Sequence, residues 1–139
     1  MDKIYRAGLV PFIIEDDNIS MMFMTPADPN YGGNNPQIAK GKIDPGENAK
    51  QAAVREASEE LGLFKPNIDG KIYHLGRFLG RTDVYFCKIK DKEQFGDPHY
   101  ETGKVSWLSP EEFDDQGRSL HKPVINAVVR SIKKKENLK

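Results

Sequence analysis

Residues 41–63 read GKIDPGENAKQAAVREASEELGL, and this segment carries the strongest structural signal in the chain. Strong helix formers without an interrupting Gly or Pro fill the stretch from Asn48 to Leu61, which predicts a helix there. Gly62 supplies the C-terminal stop of this helix, and Pro66 prevents its continuation. The segment is therefore interpreted as a turn that leads into one well-delimited helix.

Three carboxylates of the predicted helix form a stripe along it. Glu56, Glu59 and Glu60 are spaced i, i+3 and i+4, so their side chains share one helix face. Such a stripe is often only a solvated surface, and its like charges weaken a helix slightly. A hard divalent cation reverses that effect, because Mg²⁺ prefers carboxylate oxygens together with substrate phosphates. The stripe therefore predicts a metal site, with the backbone carbonyl of Gly41 as a further oxygen ligand.

Seven positions of the segment are fixed in residue type and spacing, namely Gly41, Glu47, Arg55, Glu56, Glu59, Glu60 and Gly62. The segment resembles the Nudix box, G-x5-E-x7-R-E-U-x-E-E-x-G-U, in which U is a bulky apolar residue. Leu63 fills the last apolar position, whereas Ala57 is smaller than the residues usual at the first one. The run from Val105 to Phe113 also resembles the C-terminal tail of many small Nudix hydrolases.

The resemblance implies an α/β fold, the Nudix α/β/α sandwich, in which helices flank a mixed sheet. It also implies a pyrophosphohydrolase that uses Mg²⁺, or Mn²⁺, to cleave a nucleoside diphosphate linked to another moiety. The positions that match metal ligands are Gly41, Glu56, Glu59 and Glu60, and those that match a structural ion pair are Glu47 and Arg55. The implied catalytic carboxylates are Glu56 and Glu59, with Glu101, six residues before Trp107, as the candidate general base.

The rest of the chain predicts strands around this helix and a second helix at the end. Strands are expected at Arg6–Ile14, Ile19–Thr25, Ile72–Phe78, Arg81–Ile89 and Val105–Leu108. A capped helical turn is expected to begin at Ser109, a final helix to span Pro123–Lys135, and Pro26–Gln37 to form a long irregular loop. No linker or internal repeat divides the chain, which predicts a single domain over residues 1–139.

Composition and charge exclude several classes of function. The 21 Lys and Arg residues balance 21 Asp and Glu residues, which argues against a protein that binds nucleic acid by bulk charge. No apolar run is long enough for a bilayer span, and the N-terminus has no signal-peptide pattern. Cys87, the single cysteine, permits no internal disulfide and predicts a buried thiol in a cytoplasmic protein.

Recognition of the group attached to the diphosphate is expected to come mainly from outside the helix. The candidate contacts are Arg6, Tyr31, Lys40, Lys42 and Arg81, each of which also fits a solvated surface role. The preferred substrates are a dinucleoside polyphosphate, ADP-ribose or FAD. The 5′ end of an RNA is kept as a further candidate substrate. The alternative is a non-catalytic Nudix module that binds or senses a nucleotide, although such modules usually lose box carboxylates. The sequence does not decide the oligomeric state, and both a monomer and a homodimer are kept as alternatives.

Overall fold

β1 is the strand around which the sheet is built. The computed structural model describes residues 5–139. In that range the strands are β1 (Arg6–Glu15), β2 (Asn18–Pro26), β3 (Ala39–Lys42), β4 (Ile68–Phe78), β5 (Thr82–Ile89) and β6 (Thr102–Leu108). The helices are α1 (Ala49–Leu61), α2 (Pro110–Gln116) and α3 (Lys122–Lys135), with 3-10 turns at Pro29–Tyr31, Lys65–Asn67 and Ser119–His121. Among the described residues, no helix has the length and apolar character that crossing a bilayer requires.

The sheet is mixed because β1 is parallel to one neighbouring strand and antiparallel to two others. β1 runs parallel to β5 and antiparallel to both β2 and β3, and the strand order is β4-β5-β1-β2-β6 with β3 also paired to β1. Along one edge of β1, residues 6–9 pair with β3 and residues 12–15 pair with β2. Pro11 lies in the gap between these two stretches, where a residue without an N–H is tolerated.

Helices cover both faces of the sheet, which confirms the predicted α/β/α sandwich. Period-two alternation directs Ala7 and Leu9 of β1 towards α1, and Val10 and Phe12 towards the opposite layer. The helix α1 meets the sheet through small buried residues, namely Ala52, Ala53 and Ala57. The opposite layer contains larger side chains, among them Phe23, Phe86, Phe113, Val124, Val128 and Ile132. The alanines allow the backbone of α1 to lie close to the strands that carry the site.

Cys87 is buried in the layer between the sheet and α1. Burial raises the pKa of its thiol to about 12, so the thiolate is negligible at neutral pH. This confirms the predicted buried thiol and leaves Cys87 with a packing role.

The elements predicted from the sequence are present, with three differences among the strands. β6 begins at Thr102, three residues earlier than expected, because its first residues are polar or glycine and are held in the strand by pairing with β2. β3 was not predicted, because its sequence Ala-Lys-Gly-Lys has no run of apolar or β-branched residues. β4 begins at Ile68, four residues earlier than expected, because bulges after Asp69 and His74 break its period-two pattern. The helix α1 begins where expected, with Asn48 as its N-cap.

Gly62 ends α1 in the left-handed region, with φ at +75°. A Cβ at this position would collide with the backbone carbonyl of Gly96, whose N–H donates to the Gly62 carbonyl at 2.8 Å. We expect Gly62→Ala to lower the free energy of unfolding by about 3 kcal/mol, from backbone strain and steric overlap together. Urea denaturation measures this loss.

The matched control for this prediction is Gly70→Ala in β4. Gly70 also has a left-handed backbone, with φ at +85°, but it has open space where a Cβ would lie. Its substitution is expected to lower the free energy of unfolding by only about 1 kcal/mol, from strain alone. Equal losses in the two variants would contradict the argument that the contact with Gly96 fixes the end of α1.

Candidate active site

The strand β3 lies directly against the carboxylate face of α1. Glu60 Oε1 accepts a hydrogen bond from the Lys40 N–H at 3.1 Å. One residue further along β3, the Glu56 carboxyl group occupies the space where a Cβ of residue 41 would lie. Gly41 is therefore the residue that permits this close approach, and its backbone shares the site with Glu56 and Glu60.

Arg55 joins the turn before α1 to the carboxylates on the helix. Its Nε and Nη2 form a two-point pair with Glu47, at 2.7 and 3.1 Å, and Nη2 also donates to the Lys42 carbonyl at 2.9 Å. Its Nη1 donates to Glu56 at 2.9 Å and to Glu59 at 3.0 Å. The hydrogen bonds with Glu47 raise the pKa of Arg55 above its usual range and hold the pKa of Glu47 below its own. One guanidinium thus fixes the turn and orients two carboxylates.

Glu56 and Glu60 are two carboxyl groups that are partly removed from water and lie close together. Burial, and then the charge of Glu56, raises the pKa of Glu60 to about 8. Burial is also the largest cause that raises the pKa of Glu56. Two such groups ionise together only at a cost unless a cation compensates them. A hard divalent cation supplies that charge and prefers oxygen ligands, so these two carboxylates, Glu59 and the Gly41 carbonyl fit Mg²⁺ or Mn²⁺.

The carboxylates are not drawn together around a single point in this structure. Within residues 5–139, no three Asp, Glu, His or Cys side chains are grouped tightly enough to hold a metal ion. Glu56 and Glu59 are bonded to Arg55, whereas Glu60 is bonded to the backbone of β3. Binding a cation through all three carboxylates therefore requires their side chains to turn towards each other.

Two adjoining cavities open beside the carboxylate face of α1. The acidic cavity, of about 130 Å³, is lined by Glu56, Glu59, Glu60, His99 and Glu101. The cationic cavity, of about 710 Å³, is lined in part by Arg6, Gln37, Lys40, Tyr100 and Arg118. Glu60 and Glu101 line both, so the two cavities adjoin at these residues. The larger volume lies in the range typical of small-molecule sites.

Glu101 reaches the site because the connection between β5 and β6 is bonded to α1. The His99 N–H donates to the Glu59 carbonyl at 2.7 Å, and the Thr102 hydroxyl donates to the Glu60 carbonyl at 2.8 Å. Glu101 stands between these two anchors, and its side chain is exposed. The candidate base named from the sequence therefore lines the same cavity as the three helix carboxylates.

The cationic cavity is named for its basic side chains Arg6, Lys40 and Arg118, and its lining also includes the carboxylates of Asp28, Glu60 and Glu101. Burial lowers the pKa of Lys40, and repulsion by Arg6 and Arg118 lowers it further. An anionic ligand in this cavity would relieve that repulsion. The two cavities together fit a ligand whose negative charge extends from the carboxylate face to the cationic wall.

A comparison with protein families identifies the domain. A family model of the NUDIX domain matches residues 7–128, which is most of the chain. The chain belongs to the Nudix family. Residues 41–63 are therefore its Nudix box, and the acidic cavity lies over the box helix α1.

Several named proteins are similar to this Nudix domain in sequence or in structure. A Bacillus subtilis (strain 168) protein, provisionally named 8-oxo-dGTP diphosphatase, is 36% identical over 72 residues, which cover 50% of this chain and 47% of that protein. The chain thus matches about half the length of this curated relative. The C. elegans Ap4A hydrolase binary complex superposes with a TM-score of 0.72 at 21% identity, covering 92% of this chain and 95% of that one. The NUDIX domain of Shewanella oneidensis NrtR, complexed with ADP ribose, superposes at 0.66 and 12% identity, covering 95% and 90%. Both superpositions establish the Nudix fold.

The substrate contacts predicted for this Nudix domain separate into two groups. Arg6 and Lys40 line the cationic cavity. Arg81 and Lys42 lie outside the lining of both cavities described within residues 5–139. The Arg81 guanidinium instead stacks on the Tyr5 ring, 4.7 Å from its centre, and Lys42 contributes its carbonyl to Arg55. The side chain of Tyr31 lies outside the described part of the structure.

Five polar residues that line the cavities were not named from the sequence, namely Asp28, Gln37, His99, Tyr100 and Arg118. None of them belongs to the Nudix box or to another recognisable motif. Gln37 and Arg118 are hydrogen-bonded at 3.1 Å although 81 residues separate them. Tyr100 is 88% exposed at the edge of the cationic cavity, and no pattern in the sequence distinguishes it from an ordinary loop tyrosine.

Proposed function

We propose that this chain is a divalent-metal-dependent hydrolase that cleaves a phosphoanhydride bond in a nucleoside diphosphate linked to another group. The observation that carries this proposal is that the two cavities adjoin and share Glu60 and Glu101. Glu56, Glu59, Glu60 and Glu101 surround the end suited to a cation. Arg6, Lys40 and Arg118 line the end suited to the anionic substrate. Family membership supports the reaction class.

In this proposal the residues of the box divide the chemistry between them. Glu56, Glu59, Glu60 and the Gly41 carbonyl hold the cation, which supplies charge neutralisation at the phosphoryl group and a more acidic water when bound. Glu101 would accept a proton from the attacking water, since it lines the acidic cavity together with the carboxylates of the box helix. Arg55 keeps Glu56 and Glu59 on the cavity side of α1 through Nη1.

The proposed substrates follow from the cationic cavity and from the relatives. A dinucleoside polyphosphate, ADP-ribose or FAD places one phosphate at the metal site and a further charged or planar group in the larger cavity. Tyr100, exposed at the edge of that cavity, offers a ring on which a base can stack. A nucleoside triphosphate is the second candidate, because the curated relative carries the name of an 8-oxo-dGTP diphosphatase.

A substrate panel tests the proposal. It contains diadenosine polyphosphates, ADP-ribose, FAD, nucleoside triphosphates including 8-oxo-dGTP, and capped or triphosphorylated RNA. We expect cleavage of one group with Mg²⁺ or Mn²⁺, and loss of that activity to background after treatment with EDTA, because the carboxylates alone do not neutralise the phosphoryl charge. Chromatography of the products identifies the bond that is cleaved. Nucleotide binding without cleavage of any member would instead support the non-catalytic Nudix module.

A further inference from the structure

Gln37 is a buried polar side chain whose amide is bonded at both ends. Its Nε2 donates to the carbonyl oxygens of Gly32, at 3.0 Å, and Asn35, at 3.3 Å. Its Oε1 accepts a hydrogen bond from Arg118 Nη1 at 3.1 Å. Gln37 is only 4% exposed, so little freedom is left to this amide. It therefore holds the Arg118 guanidinium in a fixed direction.

The backbone around Arg118 is bonded to the same loop. The Arg118 N–H donates to the Pro36 carbonyl at 2.8 Å, and Asn35 Nδ2 donates to the Gln116 carbonyl at 2.8 Å. Both the main chain and the side chain of Arg118 are thus ordered before any ligand binds. An arginine with little rotational freedom loses less conformational entropy when it binds an anion.

In the described part of the chain, the basic side chains that line the cationic cavity have no ion-pair partners. They are Arg118, Arg6 and Lys40. Within residues 5–139, no carboxylate oxygen lies within 4.0 Å of their side-chain nitrogens. Arg6 and Arg118 lie close enough to Lys40 to lower its pKa by repulsion, although Asp28, Glu60 and Glu101 line the same cavity. Glu60 and Glu101 line both cavities, whereas Arg118, Arg6 and Lys40 line the cationic cavity alone.

We propose that Arg118, positioned by Gln37, binds a phosphate of the substrate other than the two that flank the scissile bond. This proposal rests on the proposed function, because it assumes that the cleaved diphosphate lies at the acidic cavity. The planar fork of an arginine suits two-point binding of phosphate oxygens. The consequence is selectivity for substrates with three or more phosphates in a row over ADP-ribose and FAD, which have two.

Kinetics with two substrates test this consequence directly. For Arg118→Gln we expect KM for diadenosine tetraphosphate to rise about 10- to 100-fold, with kcat changed less than about threefold, because a charged hydrogen-bonding partner is lost from binding. KM for ADP-ribose should change less than about threefold. Arg118→Lys should recover part of the loss, since it keeps the charge but not the fork. The control variant is Arg130→Gln, an exposed arginine on α3.

Gln37→Met tests the positioning role, because methionine has a similar volume and no amide. We expect KM for diadenosine tetraphosphate to rise about 3- to 10-fold with kcat retained, since the guanidinium stays but is no longer held. Circular dichroism establishes whether this variant folds. If it does not, Arg118→Gln carries the test, because Arg118 is only partly buried. Equal increases of KM for both substrates would contradict the proposal.

Binding of inorganic tripolyphosphate to the metal-free protein gives a readout that does not depend on turnover. Isothermal titration calorimetry should give about a tenfold or greater loss of affinity for Arg118→Gln, and no loss for Arg130→Gln. Unchanged affinity and unchanged KM in Arg118→Gln would overturn the proposal while leaving the hydrolase function intact. Conversely, Arg118-dependent binding by a wild-type protein that cleaves nothing would overturn the proposed function and support the anion site.

Discussion

Glu60→Gln is expected to lower kcat/KM at least about 10³-fold, because the substitution removes one of the three carboxylates that we propose neutralise a divalent cation. Glu59→Gln is expected to have the same effect on turnover. The two substitutions change volume little, so the fold should be retained. Steady-state kinetics with Mg²⁺ measure the loss, and Glu93→Gln, at an exposed residue in the β5–β6 connection, is the matched control. Mg²⁺-dependent turnover at the wild-type rate in both variants would contradict the assignment of the metal site.

The same Glu60→Gln variant is expected to be more stable than the wild type in the absence of metal. Burial and Glu56 raise the pKa of Glu60 from 4.5 to about 8, so the folded state binds more protons than the unfolded state between these values. Stability of the wild type is therefore lost as pH rises through that range. Glutamine does not titrate, so the advantage of the variant should grow between about pH 5 and pH 8 and then level off. Thermal unfolding at a series of pH values measures it.

Adding Mg²⁺ distinguishes a stability effect at the carboxylate site from a general effect of the substitution on folding. A cation that binds only the folded state raises the melting temperature of the wild type by mass action. We expect that increase to be absent, or much smaller, in Glu60→Gln. An equal increase in both proteins would mean that the ion binds elsewhere.

Arg55→Leu is expected to lower the free energy of unfolding by about 3 kcal/mol and kcat/KM by about 100-fold. The substitution leaves Glu56 and Glu59 without their shared donor, and it removes the bonds that hold Glu47 and the Lys42 carbonyl. Arg55→Lys should recover little of either quantity, because one ammonium group does not reach all of these acceptors. Urea denaturation and steady-state kinetics on the same samples measure the two losses.

The control for this prediction is Arg130→Leu on α3, which removes a surface arginine far along the chain from the box. Arg130→Leu should leave both the free energy of unfolding and kcat/KM nearly unchanged. A large loss of turnover in Arg55→Leu with no loss of stability would contradict the structural role. Arg55 would then be a residue that contacts substrate rather than one that orients carboxylates.

Local spacing explains why part of this architecture could be predicted from the sequence. The end of α1 at Leu61, its C-terminal stop at Gly62 and the shared face of Glu56, Glu59 and Glu60 all depend on positions within one helix or directly beside it. β3 depends instead on pairing with β1, since Gly41 pairs with Ala7 and its own sequence carries no strand pattern. A strand that is defined by its partner is not visible in a single sequence.

The candidate site divides in the same way between local and distant contacts. Glu47 and Arg55 lie eight residues apart across one junction, so their pairing could be anticipated. The contact between Gln37 and Arg118 spans 81 residues and depends on how the long loop meets the α2–α3 connection. Arg81 was named because it opens a strand, but a position at the end of a strand does not determine whether the side chain meets a cavity or a neighbouring ring.

The buried thiol of Cys87 can be used as a built-in chemical probe of local unfolding in this chain. A thiol that lies under α1 and holds its proton reacts with a disulfide reagent only when the layer between helix and sheet opens. The rate of that reaction in the native protein therefore measures the free energy of the opening. It also means that a cysteine introduced at an exposed position such as Glu93 can carry a fluorophore while the native thiol stays in place and unlabelled.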